Sequence, residues 1–199
     1  MKISSFSAPF TARRHGLRWR LALCVAAATL LMSGLGAAQT NAPSETVIIP
    51  GVNIPGWGQV DQVPGRFSRP SGSKSKVPAV LILHGALGVD GRGAFYTKAL
   101  NDAGIATLEI TMFPPNSPPQ EGVKATMPHA AAALKWLAAQ PSVDSQRLGI
   151  MGFSYGGIMS VLMSRELVQE RLGKDVPMAV AFAPFYPVLL LTGPHAGES

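Results

Sequence analysis

Stretches in which apolar residues run unbroken decide how this chain is organised. AVLILHG (79 to 85) is one, and further β runs, IATLEITMF, RLGIMGF (147 to 153) and PMAVAFA, follow at intervals. Runs without polar alternation belong to strands covered on both faces, as in a parallel sheet between helices. Segments of helical period separate them. AFYTKALNDAG brings Phe95, Ala99, Leu100 and Ala103 to one face and stops at Gly104, and HAAAALKWLAAQ carries Leu134 and Leu137 in an alanine-rich helix. From Tyr155, GGIMSVLMSRELVQERLG aligns Ile158, Leu162 and Leu167 before ending at Gly173. Strands alternating with crossover helices predict an α/β fold, a doubly wound and mostly parallel sheet with helices on both faces. Upstream, ETVIIPG predicts a short strand and PGRFSRPSGSKSKVP a turn-laden connection ending at Pro78.

Charge changes this picture only at the start of the chain. The formal net charge of +6 invites a nucleic-acid reading until the charges are placed. Lys2, Arg13, Arg14, Arg18 and Arg20 precede the uncharged LALCVAAATLLMSGLGAAQ, and no acidic residue comes before Glu45. A basic segment, an apolar segment and small residues at Ala37 and Ala38 predict a secretory signal peptide over residues 1–38 and a periplasmic or secreted protein. Gly34, Gly36, Ser33 and Gln39 weaken the alternative, a retained membrane anchor. Beyond residue 38, twelve Lys and Arg face eleven Asp and Glu, so the mature chain is nearly neutral and no polyanion partner is expected. Its single cysteine, Cys24, lies inside the leader, which leaves the mature chain neither a disulfide nor a thiol nucleophile.

The candidate chemistry lies where RLGIMGF hands over to the next helix. GFSYG is a G-x-S-x-G nucleophile elbow, with Gly152 and Gly156 leaving room for a sharp turn that lifts the Ser154 hydroxyl above the carboxyl edge of the sheet. The helix that follows aims free N–H groups and its positive dipole end at the same spot. A second oxyanion donor belongs in the loop after an upstream strand. LILHGALG supplies one, so the backbone N–H groups of Ala86 and Tyr155 are expected to form the hole. His84 is expected to make a structural hydrogen bond, and His129, opening a helix, to be solvated. Glu109 is either a buried, partnered carboxylate or an outward-facing one, and the pattern leaves both open. GVDGRG (88 to 93) has its glycines in the wrong order for a dinucleotide site, and no Walker or metal-binding pattern occurs, so neither cofactor nor metal is expected.

The order AVLILHGALG, GIATLEITMFPP, VDSQRLGIMGFSYGG, AVAFAPFYP resembles the dienelactone hydrolase-like family of the α/β-hydrolases over about residues 77 to 187. Members with cysteine in the elbow act on dienelactone; Ser154 here resembles the serine members. The resemblance implies hydrolysis of an ester or lactone through an acyl-enzyme. It also implies a triad acid and then a histidine after Ser154, which the remaining 45 residues do not supply in the family's form. VLLLTG (188 to 193) would be the strand carrying the acid, but PHAGES follows it, and only PFYP separates it from the preceding run. A parallel neighbour needs a crossover of about a dozen residues.

The expected sheet is therefore of α/β-hydrolase type but C-terminally incomplete. Residues 1–38 form a leader, 39–76 N-terminal strands and a linker, 77–187 the hydrolase core and 188–199 an atypical tail. Two functions stay open: a secreted serine hydrolase, and a non-catalytic protein of the same fold that binds small acyl ligands. His195, with Glu198 behind it, is the one substitute base within reach, and a glycine-containing tail is expected to keep it away from Ser154. The open edge of the fourth apolar strand leaves self-association possible.

Overall fold

Hydrogen bonding turns the apolar runs into one mixed sheet. The computed structural model describes residues 44–187. Six strands, β1 (Ser44–Ile54), β2 (Gly58–Ser68), β3 (Val77–Leu83), β4 (Ala106–Ile110), β5 (Val143–Phe153) and β6 (Ala181–Phe185), lie in the order β1-β2-β4-β3-β5-β6. β4, β3, β5 and β6 pair in parallel, and β1 and β2 are antiparallel additions. Helices α1 (Gly91–Asp102), α2 (Met127–Ala139), α3 (Tyr155–Met163) and α4 (Glu166–Leu172) fill the crossovers, with a 3-10 turn at Gly122–Thr126 before α2.

The side-chain period of two divides the parallel strands between two cores. Leu81, Leu108 and Ile150 stand in register and face α2 and α3, whose Ala130, Ala133, Leu134, Leu137 and Met159 are fully or almost fully buried. On the opposite face Ile82 and Met151 are in register, and with Phe153 they meet Tyr96 and Leu100 of α1. Both faces are thus covered, which is why these strands could be uninterrupted apolar runs.

Three local expectations are corrected. The segment read as a connection contributes its first residues to β2, which pairs with β1 from Ser44↔Ser68 to Ile54↔Gly58. Pro50 and Pro64 and the many polar residues hide this hairpin, and the buried Ile49, Val63 and Phe67 anchor it to the core. The helix from Tyr155 to Gly173 is two helices: Ser164 Oγ donates to the Val161 carbonyl at 2.7 Å and Arg165 is extended, with φ −84° and ψ 123°. A serine bonding back to its own helix competes with the helical ladder.

Helix α1 buries a face other than the apolar one. Phe95 is 69% exposed, whereas Gly93 and Asn101 are buried. Beside the apolar contacts of Tyr96 and Leu100, part of the sheet beneath is polar: Ser68 Oγ donates to Asn101 at 2.6 Å and Thr107 Oγ1 to Thr97 at 3.1 Å. Buried polar groups must be paired, so this interface is set by hydrogen bonds that a hydrophobic pattern does not register. VLLLTG, His195, Glu198 and the leader expected over residues 1–38 lie outside the described residues.

Candidate active site

Ser154 has φ 50° and ψ −106°, a conformation costly for any residue with a side chain. The backbone around it explains the glycines. A Cβ on Gly152 would sit 2.0 Å from the Gly156 carbonyl oxygen, and one on Gly156 would sit 2.3 Å from that of Leu83. The ends of β3 and β5 and the start of α3 therefore touch main chain to main chain. At the turn the Ser154 N–H donates to the Phe185 carbonyl at 3.0 Å and the Gly156 N–H to the His84 carbonyl at 3.2 Å. Between them the Tyr155 N–H has no backbone partner among the described residues. It opens α3, where the first turn of a helix has no internal acceptor. The Ser154 side chain is half-buried and reachable.

The loop after β3 closes against this turn. The point where a Cβ on Gly85 would sit is 3.3 Å from the Phe153 carbonyl oxygen and 3.6 Å from Ser154 Cβ. Ala86, half-buried against the core, is the next residue, so the loop proposed to carry one donor and the turn carrying the other meet beside one hydroxyl. His84 holds the loop. Its Nε2 accepts the Met112 N–H at 2.9 Å and its Nδ1 donates to the Gly85 carbonyl at 2.7 Å, a pairing that requires the neutral Nδ1–H tautomer. Burial pushes its pKa below the usual histidine value. With both ring nitrogens bonded to backbone, His84 is a strut of the loop.

Tyr155 is fixed from its far end, its hydroxyl 3.1 Å from Thr126 Oγ1 and its ring edge-to-face with Phe113 at 5.0 Å. Thr126 precedes α2 and had no signal in the sequence beyond being polar before an apolar helix. His129 is half-buried with its Nδ1 enclosed and unpartnered among the described residues, and burial and nearby His84 lower its pKa. This corrects the solvated histidine expected there.

For Glu109 the buried alternative holds. It is 9% exposed, and burial pushes its pKa up to about 7 against the opposing charge of Arg66, its cross-strand neighbour. It lies under α1 at Gly93. Arg92, within GVDGRG, takes part in the site with no motif to mark it. Asp90 caps α1 by accepting the Arg92 N–H at 3.0 Å, and Arg92 Nε reaches both Asp90 oxygens at 2.9 Å. The guanidinium also donates to the Tyr186 hydroxyl and lies 5.2 Å from the Phe153 ring centre.

Among the described residues no hydrogen bond reaches the Ser154 hydroxyl, and no three His, Cys, Asp or Glu side chains converge as a metal site would require. Among the described residues the Ser154 hydroxyl therefore has no hydrogen-bonded base.

The model of the prolyl oligopeptidase family matches residues 122–169, a span that contains the elbow. No curated protein matches the chain in sequence. Among solved structures, a hyperthermophilic esterase from the archaeon Pyrobaculum calidifontis is 20% identical with a TM-score of 0.52, over 79% of this chain and 50% of its own. A thermophilic carboxylesterase cloned from a metagenomic library is 22% identical with a TM-score of 0.51, over 78% and 52%. An acetyl xylan esterase from Paenibacillus sp. R4 is 17% identical with a TM-score of 0.51, over 75% and 55%. The chain spans about half the length of each. Strand order, elbow and these likenesses together show a fold of the α/β-hydrolase type.

Proposed function

We propose that the chain is a secreted carboxylic-ester hydrolase of the dienelactone hydrolase-like kind, acting on a small ester or lactone through an acyl-enzyme on Ser154. The observation that carries this reading is the positive-φ serine at a strand-to-helix turn, with the Tyr155 N–H unpaired among the described residues and Gly85 beside the turn. The esterases of similar fold support it. In this scheme Ser154 Oγ attacks the ester carbonyl, and the oxyanion is held by the N–H groups of Tyr155 and Ala86. The tetrahedral intermediate collapses to acyl-serine as the alcohol leaves with a proton, and water then releases the acid. A base must take the serine proton, because a free hydroxyl is a poor nucleophile.

A second reading is favoured by one observation, the Ser154 hydroxyl without a basic partner among the described residues. There the chain does not turn over and the elbow binds small acyl groups. Export by way of residues 1–38 belongs to both readings and predicts a mature N-terminus near Gln39.

The two readings separate on the full chain, treated with a fluorophosphonate probe and with a short p-nitrophenyl ester. Labelling and turnover that Ser154→Ala abolishes support the hydrolase. Binding of a short-chain acyl ligand without either supports the second reading, and turnover surviving the substitution sinks the assignment of Ser154.

A further inference from the structure

The oxyanion loop begins at His84, a strut already described, and ends at Asp90, the cap of α1. What holds that second end is Arg92. Its Nε and Nη2 grip the Asp90 carboxylate side-on, its Nη1 donates to the Tyr186 hydroxyl, and its planar group lies against two rings, 5.2 Å from the centre of Phe153 and 5.8 Å from that of Tyr186. Phe153 is the residue before the nucleophile and Tyr186 follows β6 directly. Arg92 Nη2 and Ser154 Cβ each lie 3.6 Å from the point where a Cβ on Gly85 would sit. One side chain thus touches the oxyanion loop, the elbow strand and the exit of β6.

We propose that Arg92 is a positioning residue: it latches the loop bearing the Ala86 N–H to the strand end bearing Ser154, and so sets the spacing of the two oxyanion donors. The role rests on the hydrolase reading above. A planar guanidinium suits it because it stacks and makes forked hydrogen bonds at once, whereas an ammonium keeps the charge and loses the fork. The ion pair alone would not suffice, since both partners are over a third exposed, at 35% and 38%, and an exposed pair holds little by itself. The stacking on Phe153 and the bond to Tyr186 convert it into a three-point contact. Donors aimed at an oxyanion act on the transition state rather than on substrate binding, so a loosened latch lowers kcat and leaves KM nearly unchanged.

The test uses the full chain with Arg92→Ala, Arg92→Lys and Tyr186→Phe. Backbone hydrogen exchange is read in a peptide spanning residues 84 to 92, with α2 as the internal control. Arg92→Ala is expected to speed exchange there at least tenfold with α2 unchanged, Arg92→Lys to do so nearly as much, and methylguanidinium added to Arg92→Ala to reverse part of the change. In the same proteins Ser154 phosphonylation, and kcat on a p-nitrophenyl ester, should fall ten- to a hundredfold with KM within threefold. Unchanged exchange in Arg92→Ala overturns the latch whatever the activity. Faster exchange with unchanged kcat, or a raised KM at constant kcat, overturns its part in spacing the donors. A wild-type chain that neither labels nor turns over refutes the hydrolase reading and the catalytic half of this proposal, while exchange still decides the latch.

Discussion

The Glu109 carboxylate occupies the space that a side chain at Gly93 would fill: a Cβ there would lie 1.9 Å from Glu109 Oε1. Gly93 is in the first turn of α1, and Glu109 is the last but one residue of β4 beneath it. In an open helix Gly→Ala stabilises by about 1 kcal/mol. Here overpacking outweighs that gain, and Gly93→Ala should cost about 1–3 kcal/mol in urea unfolding. In a Glu109→Ala background the same change should become neutral or favourable. A double-mutant cycle with no coupling would show that the two residues do not share this space.

Glu109 also gives the fold an unusual pH dependence. Its pKa rises from 4.5 unfolded to about 7 folded because burial disfavours the charge. The folded state therefore binds the proton more tightly, and the group's stabilising effect, complete below pH 4.5, is lost as pH rises to about 7. His84 and His129 act in the opposite sense: burial lowers their pKa, so the stability they favour is present above the unfolded value of 6.5 and falls as pH drops below it. Glu109→Gln should remove the decline toward neutral pH, worth about 1–3 kcal/mol after allowance for partial exposure, and leave only the acid-side loss. Urea midpoints between pH 4 and 8 test this; an identical profile in the variant counts against a raised Glu109 pKa.

Backbone strain at Ser154 separates two substitutions that abolish a nucleophile equally. Ser154→Ala keeps a Cβ at φ 50°, whereas Ser154→Gly relieves it. The glycine variant should be more stable than the alanine variant by about 1 kcal/mol, even with its greater freedom when unfolded. Equal melting temperatures would mean that the turn carries no such strain.

How much of this was legible beforehand follows from what each residue does. β3 and the second half of β5 announce themselves because both of their faces are apolar, and the elbow because two glycines flank a serine at a strand's end. The β1–β2 hairpin does not, since an antiparallel pair at the sheet margin needs only a few buried residues, such as Ile49 and Phe67, among polar ones. Helix α1 misled because Asn101, Ser68 and Thr107 form part of its interface beside Leu100, while Phe95 stays out. Arg92 and Thr126 act through partners 94 and 29 positions away in the chain, separations that no local pattern encodes.

The outer side of β6 carries the last consequence. In the described sheet β6 pairs with β5 alone and is the terminal strand. Before and after it the chain exposes large apolar side chains: Met178 is 54% exposed, Val180 68% and Tyr186 54%. A strand edge with free N–H and C=O groups, flanked by apolar surface, templates pairing with another chain. Pro184 limits how far such pairing runs, because it has no N–H to donate, so association should be weak and concentration-dependent. Lysine is the residue natural edges use against it. Val180→Lys should therefore shift the full chain toward monomer in light scattering across a concentration series, with the melting temperature unchanged because Val180 is mostly outside the core. A wild-type chain that is monomeric at every concentration, or association unaltered by the lysine, would show that this edge is not where copies meet.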